Sequence, residues 1–153
     1  MYIYNLADKL EYFDTVVDLL FNEWGTHEGK GNRVYWESWI RSSLSKTDVP
    51  QTYVAIENDV LLATFSLWRC DLQSRQDLFP WFGGLYVNPQ YRHTGIGKTM
   101  QSYALSILKQ LGYKEVYLFS ELSGYYESTG WVYQGLIPNE QGEMVRLYKY
   151  LIL

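Results

Sequence analysis

The sequence predicts one α/β domain, a central mixed sheet flanked by helices, and three observations carry that expectation. The 153 residues are enough for a single well-buried core. Apolar residues fall at helical spacing in some stretches and at strand length in others. The two kinds of stretch are interleaved along the whole chain with no internal repeat and no linker, which is the pattern of one sheet layered with helices over residues 1–153.

The elements follow in order. Residues 1–6 alternate and read as a short strand, and Asp8 with Glu11 resembles a helix-starting capping box. Phe13, Val16, Val17, Leu20, Phe21 and Trp24 then form one apolar helix stripe that Gly25 stops. "GTHEGKGN" is a glycine-rich loop, and a second helix is expected from Arg33 to Leu44. Thr52–Ile56 and Val60–Trp68 read as a hairpin turning at Asn58 and Asp59, and the polar stretch Cys70–Leu78 reads as a connecting loop. Trp81–Val87 is the next strand, and Gly83-Gly84 within it marks a bulge or a close backbone approach. A long helix runs from Ile96 on Met100, Tyr103, Ala104, Ile107, Leu108 and Leu111, closed by Gly112. Glu115–Phe119, a short helix at "SGYYEST", Trp131–Ile137 and Met144–Leu151 complete the chain.

Composition excludes several function classes. Net charge is −4 and the 13 basic residues are scattered, which argues against a nucleic-acid surface. Cys70 is the single cysteine, so no internal disulfide is expected, and with His27 and His93 it makes no familiar metal-ligand spacing. No stretch approaches the roughly 18 apolar residues of a membrane span, and the start has no leader pattern. A soluble cytoplasmic protein without metal, membrane or nucleic-acid partner is the expectation. Aromatic residues make up 18%, more than a core needs, so some are expected to line a concave site.

The chemistry is carried by "YRHTGIGKT", residues 91–99. Its right end resembles the tail of a triphosphate loop, but that motif requires a glycine five residues before Gly97, where Arg92 stands. A dinucleotide fingerprint also fails, because its third glycine would fall on Met100. What remains is a strand, a loop with two glycines and the start of a long helix, a geometry that aims unpaired N–H groups and the helix dipole at one spot. Arg92 and Lys98 add charge at the rim of that anion site.

"GGLYVNPQYRHTGIGKTMQSYAL" resembles the acetyl-CoA-binding segment of the GNAT superfamily of N-acyltransferases, whose Arg-x-x-Gly-x-Gly signature is matched by Arg92, Gly95 and Gly97. "YYESTGW", 125–131, is similar to the family's second signature, at the usual distance and in the usual order. The resemblance implies a GNAT-like fold, a mixed and mostly antiparallel sheet flanked by helices, over essentially the whole chain. It implies acetyl-CoA as co-substrate, with Leu85, Tyr86 and Val87 along its pantetheine arm, its pyrophosphate on His93, Thr94, Gly95, Ile96, Gly97 and Lys98, and Arg92 alongside.

The implied reaction is attack of an amine on the thioester, through an oxyanion that the Val87 N–H would stabilise. Tyr126 takes the place of the family's usual general acid toward the leaving thiolate, and Tyr125 is expected to pack inward. The family has no single base position; Glu28, Glu121 and Glu23 are the candidates. Many relatives carry an Asn before the tyrosine, whereas "FSELSGYY" is shorter here, and Ser120 is the candidate cofactor contact in its place. The acceptor, a small amine or peptide amine, is expected against the first two helices near Trp24, His27, Trp36 and Trp39. The competing reading is an acyl-CoA-binding module without turnover. Dimers are common in similar proteins, which leaves a homodimer open.

Overall fold

The computed structural model describes residues 1–25 and 31–153. Seven strands form one sheet: β1 (Tyr2–Asn5), β2 (Gln51–Glu57), β3 (Val60–Trp68), β4 (Trp81–Val87), β5 (Glu115–Ser120), β6 (Val132–Pro138) and β7 (Met144–Leu151). Their spatial order is β1-β2-β3-β4-β5-β7-β6, and every neighbouring pair is antiparallel except β4 with β5. Among the described residues four α-helices accompany them: α1 (Phe13–Leu20), α2 (Arg33–Arg41), α3 (Ile96–Gln110) and the single turn α4 (Tyr125–Ser128).

Alternation along the strands divides the core in two. Val54, Ile56, Trp68, Trp81 and Tyr117 point to the side covered by α1 and α2, where Phe13, Val16, Val17, Leu20, Trp36 and Ile40 are buried against them. Tyr53, Ala55, Phe65, Leu67, Phe82, Val116 and Leu118 point to the side covered by α3, with Met100, Ala104 and Leu108. Each such fully buried apolar side chain contributes about 1.5–3 kcal/mol of transfer free energy.

Two helix boundaries differ from those expected. Asp8 and Glu11 do not open α1: the chain makes two short 3₁₀ turns first, the Asn5 side chain capping the Ala7 N–H at 2.9 Å while Lys46 engages Asp8. The second helix stops at Arg41 rather than Leu44, because Leu44 is drawn into a bridge with Gln51. The hydroxyls of Ser42 and Ser43 meet the released carbonyls of Trp39 and Ile40 at 2.6 and 2.5 Å.

The feature that positions the site is the junction of β4 and β5. These parallel strands pair only at Trp81 with Tyr117, and beyond that point they diverge. On its other edge β4 stays bonded to β3, with a register shift between Thr64 and Ser66: Gly83 pairs with Ser66, and Gly84, with φ +61°, and Leu85 both stand opposite Phe65. This is the bulge that the glycine pair suggested, and it bends β4 away from β5.

Candidate active site

The loop after β4 turns on backbone conformations that few residues adopt. Gly95 caps α3 with φ +88°, and His93, which has a side chain, also sits at φ +63°. A residue other than glycine in that region stores strain of order 1–3 kcal/mol, a cost that persists where the surroundings fix the loop. The result is a concave run of main chain: among the described residues, the N–H groups of residues 93 to 98 make no hydrogen bond, and the first in the helix to do so is Thr99, to Gly95 O at 3.0 Å. Six donors thus converge at the positive end of a 15-residue helix.

Side chains keep this cradle open. A Cβ on Gly95 would meet nothing within 4 Å, so the space in front of the loop is free. A Cβ on Gly97 would lie 2.5 Å from the Tyr125 hydroxyl and 3.8 Å from Val87 Cγ2, so glycine there lets α3 come close to β4 and α4. Arg92 folds back on the strand: its Nε donates to Val87 O at 2.8 Å and its guanidinium lies 5.5 Å from the Tyr86 ring centre. Its terminal nitrogens remain at the exposed rim with Lys98.

The freed edge of β4 supplies one more donor. Asn88 N–H bonds to Leu62 O of β3 at 2.8 Å, and Tyr86 pairs with Thr64. Strand alternation therefore turns the N–H group of Val87 away from β3, into the gap where β5 has diverged. The Tyr86 amide belongs to the β3 ladder instead and Leu85 lies in the bulge, so of the three pantetheine residues expected, the pairing turns the Val87 N–H to the gap.

The two tyrosines of "YYESTGW" are placed the opposite way from expectation. Tyr126 is buried, 8% exposed, within 6.2 Å of the Trp131 ring and 5.8 Å of the Tyr148 ring. Tyr125, expected to pack inward, is 39% exposed and stands over Gly97. In a single helical turn adjacent residues face directions about 100° apart, so the Tyr126 ring packs among Trp131 and Tyr148 while the Tyr125 hydroxyl meets Gly97 and Gln101 of α3. The Tyr126 hydroxyl makes no hydrogen bond among the described residues. Among the described residues every side-chain N or O atom fully shut off from solvent is hydrogen-bonded, so this phenol oxygen retains access from outside. Burial first, then the neighbouring Tyr125 and Tyr148, pushes its pKa far above the usual value near 10.

Two further residues hold this arrangement, Glu127 and Gln101, and of these the motif glutamate was visible in the sequence. Glu127 accepts from Gly124 N–H at 3.0 Å and from the Tyr148 hydroxyl at 2.8 Å, so it caps its own turn and ties it to β7; the Tyr148 bond keeps its carboxyl below the usual range. Gln101 of α3, 2% exposed, donates to the Tyr125 hydroxyl at 3.2 Å and accepts from Thr129 Oγ1 at 2.8 Å and Trp131 Nε1 at 3.0 Å. One buried amide thereby locks the second signature onto the helix of the first. Asp71, in the loop after β3, lies over Gly83.

The remaining sequence candidates are scattered. Ser120 uses its hydroxyl within its own turn, accepting from Leu122 N–H at 3.0 Å, and Glu121 is exposed beside it. Glu23 is exposed on the wide turn that ends the first helix, Phe21–Gly25. Glu28 and His27 lie outside the described residues. Trp36 is buried and Trp39 half-buried, their rings 5.0 Å apart edge to face.

Solved structures of similar shape are acetyltransferases. An aminoglycoside 6'-N-acetyltransferase complexed with coenzyme A superposes with TM-score 0.78 at 16% identity, over 100% of this chain and 98% of that one. The aminoglycoside 6'-N-acetyltransferase from Enterococcus faecium gives 0.74 at 16% identity with the same coverage. A variant of the spermidine N-acetyltransferase from Vibrio cholerae gives 0.69 at 14% identity, over 99% and 95% of the two chains. No curated protein matches by sequence. At such identities the likeness speaks to the fold; the family is carried by a sequence model, which matches residues 13–131, most of the chain and both signatures. The chain belongs to the acetyltransferase (GNAT) family.

Proposed function

We propose that the protein transfers an acetyl group from acetyl-CoA to a primary amine of a small molecule or peptide. The observation that carries this reading is the set of six unpaired N–H groups of residues 93 to 98, continuous with the freed edge of β4. An anion cradle beside an open strand edge matches a ligand with a diphosphate at one end and an amide-containing arm. The three similar structures named above are, by their own descriptions, N-acetyltransferases of an aminoglycoside or of spermidine, which supports the acceptor class.

Bound acetyl-CoA supplies an activated thioester. The chain's residues do the rest. The N–H groups of residues 93 to 98, with Arg92 and Lys98 at the rim, hold the diphosphate. Leu85 and Val87 run along the arm, and the Val87 N–H is assigned to the negative charge that develops on the carbonyl oxygen. Tyr126 stands ready to give a proton to the departing sulfur: its phenol is neutral at pH 7 and its hydroxyl is not committed to another group. Glu127 and Gln101 hold Tyr126 and Tyr125 in register with α3.

The test pairs binding with turnover. Acetyl-CoA at 100 times its Kd is expected to stabilise the fold by about 2.7 kcal/mol in a thermal melt, and a primary amine is expected to drive release of free thiol. Stabilisation without thiol release by any amine would leave a binding module in place of an enzyme.

A further inference from the structure

The surroundings of Gln101 allow its amide one orientation. The indole nitrogen of Trp131 only donates, and it lies 3.0 Å from one end of that amide, so this end is the oxygen. Thr129 Oγ1 donates to the same oxygen at 2.8 Å. The nitrogen end then faces Tyr125, with Nε2 3.2 Å from the phenol oxygen. An amide nitrogen has hydrogens to give and nothing to accept with, so the Tyr125 hydroxyl takes this bond as an acceptor. Its own hydrogen is left over. Among the described residues that hydrogen meets no acceptor, the bond from Gln101 being the one the phenol oxygen makes.

The spare hydrogen stands where main-chain donors are already gathered. The oxygen that bears it would lie 2.5 Å from a Cβ on Gly97, and that Cβ would lie 3.8 Å from Val87 Cγ2. Gly97 is the second residue of α3, inside the run of unpaired N–H groups from 93 to 98. Val87 ends β4, on the stretch that has parted from β5. Tyr125 therefore occupies the corner where the helix mouth meets the strand edge. Its ring is held edge to face by Tyr126 at 4.9 Å between centres, and it is the more exposed of the two, so the hydroxyl is both fixed and reachable. A clasp between α3 and α4 would need the bond from Gln101 alone. The hydrogen that this clasp does not use can be given to water in the free protein, or to a phosphate oxygen in a shorter and stronger charge-assisted bond.

We propose that Tyr125 is a binding residue for the diphosphate of acetyl-CoA, its hydroxyl oriented by Gln101 beside Gly97 and adding a side-chain donor to the main-chain donors of residues 93 to 98. The assignment rests on the N-acetyl-transfer reading above and divides the work of two adjacent phenols, Tyr125 at the diphosphate and Tyr126 at the sulfur.

The test is Tyr125→Phe, which keeps the ring and removes the hydroxyl. Calorimetry with acetyl-CoA gives Kd, and thiol release with spermidine or kanamycin at saturating acetyl-CoA gives kcat. Kd is expected to rise about 10- to 100-fold, the loss of one hydrogen bond to a charged group, with kcat within about threefold of native. The melting temperature without ligand is expected to fall by no more than about 4 °C, since one partly exposed hydrogen bond is lost. A native Kd in Tyr125→Phe overturns the assignment. So does a kcat lower by more than about tenfold at saturation, which would put this phenol at the departing sulfur. A melting temperature lower by more than about 8 °C overturns it as well, in favour of a purely structural clasp. The affinity measurement needs no turnover, so it decides the matter even where neither amine is acetylated. If native protein does not bind acetyl-CoA at all, the functional reading itself fails first.

Discussion

The α3 side of the sheet presents main-chain donors without partners, whereas the α1–α2 side is closed by side chains that satisfy one another. On the first, the N–H groups of residues 93 to 98 make no hydrogen bond among the described residues, and the Val87 N–H lies on the edge of β4 that faces away from β3. On the second, Trp68 stacks on Trp39, and the hydroxyls of Ser43, Thr52 and Ser66 are spent on one another and on Ile40 O. A molecule with a diphosphate and an amide arm would suit the donor side, as the proposed function requires. The contrast shows where hydrogen-bonding capacity is left over: at the point where β4 parts from β5 and the chain turns into α3.

The largest expected effect tests the leaving-group end of the donor side. Tyr126→Phe should lower kcat about 100-fold while the melting temperature hardly moves, because the lost hydroxyl has no hydrogen-bond partner among the described residues. The native phenol should also keep its proton through neutral and mildly alkaline solution, so kcat should show no decline from this group below pH about 10. Its folded pKa lies above the unfolded value near 10, so its contribution to stability is complete below that pH. It is lost as the pH rises further, and Tyr126→Phe should flatten that alkaline fall in a pH series of thermal melts. An unchanged kcat would move the acid role elsewhere, with Tyr125 over Gly97 the next phenol in line.

A smaller effect is expected where the two signatures are joined. Gln101→Leu should destabilise the fold by about 2 kcal/mol, because it strands the buried Trp131 Nε1 and removes the anchors of Thr129 and Tyr125. A melting temperature lower by about 4–8 °C would register it. If stability holds while kcat falls, Gln101 orients the site without carrying the fold.

The same contrast explains what could be read from the sequence. The donor side is local: six consecutive amides need only the right φ and ψ, and Gly95 and Gly97 announce those conformations in the chain itself. All seven strands were likewise legible, from runs of β-forming residues and their turns, and so was the bulge at Gly83-Gly84. The α1–α2 side is assembled across the sheet. Asp71 sits in a stretch that reads only as polar loop, and nothing in its spacing from Gly83 says that the loop folds back over β4. Ser66 reads as one more strand residue until its partners Thr52 and Ser43 are placed. The inversion of Tyr125 and Tyr126 has a related cause: the signature fixes which residues lie in the turn, while the distant rings of Trp131 and Tyr148 take up Tyr126 and leave Tyr125 over α3. The start of α1 and the end of α2 were displaced by partners far away in sequence, Lys46 for Asp8 and Gln51 for Leu44.

The most direct measurement is a calorimetric titration of acetyl-CoA into native protein and into Gly95→Trp, with circular dichroism to confirm that the variant is folded. The indole would stand in the open space before the amides of residues 93 to 98, so native protein should bind with measurable heat and the variant at least about 100-fold more weakly. Equal affinity in the two folded proteins would place the diphosphate away from this helix mouth and contradict the account.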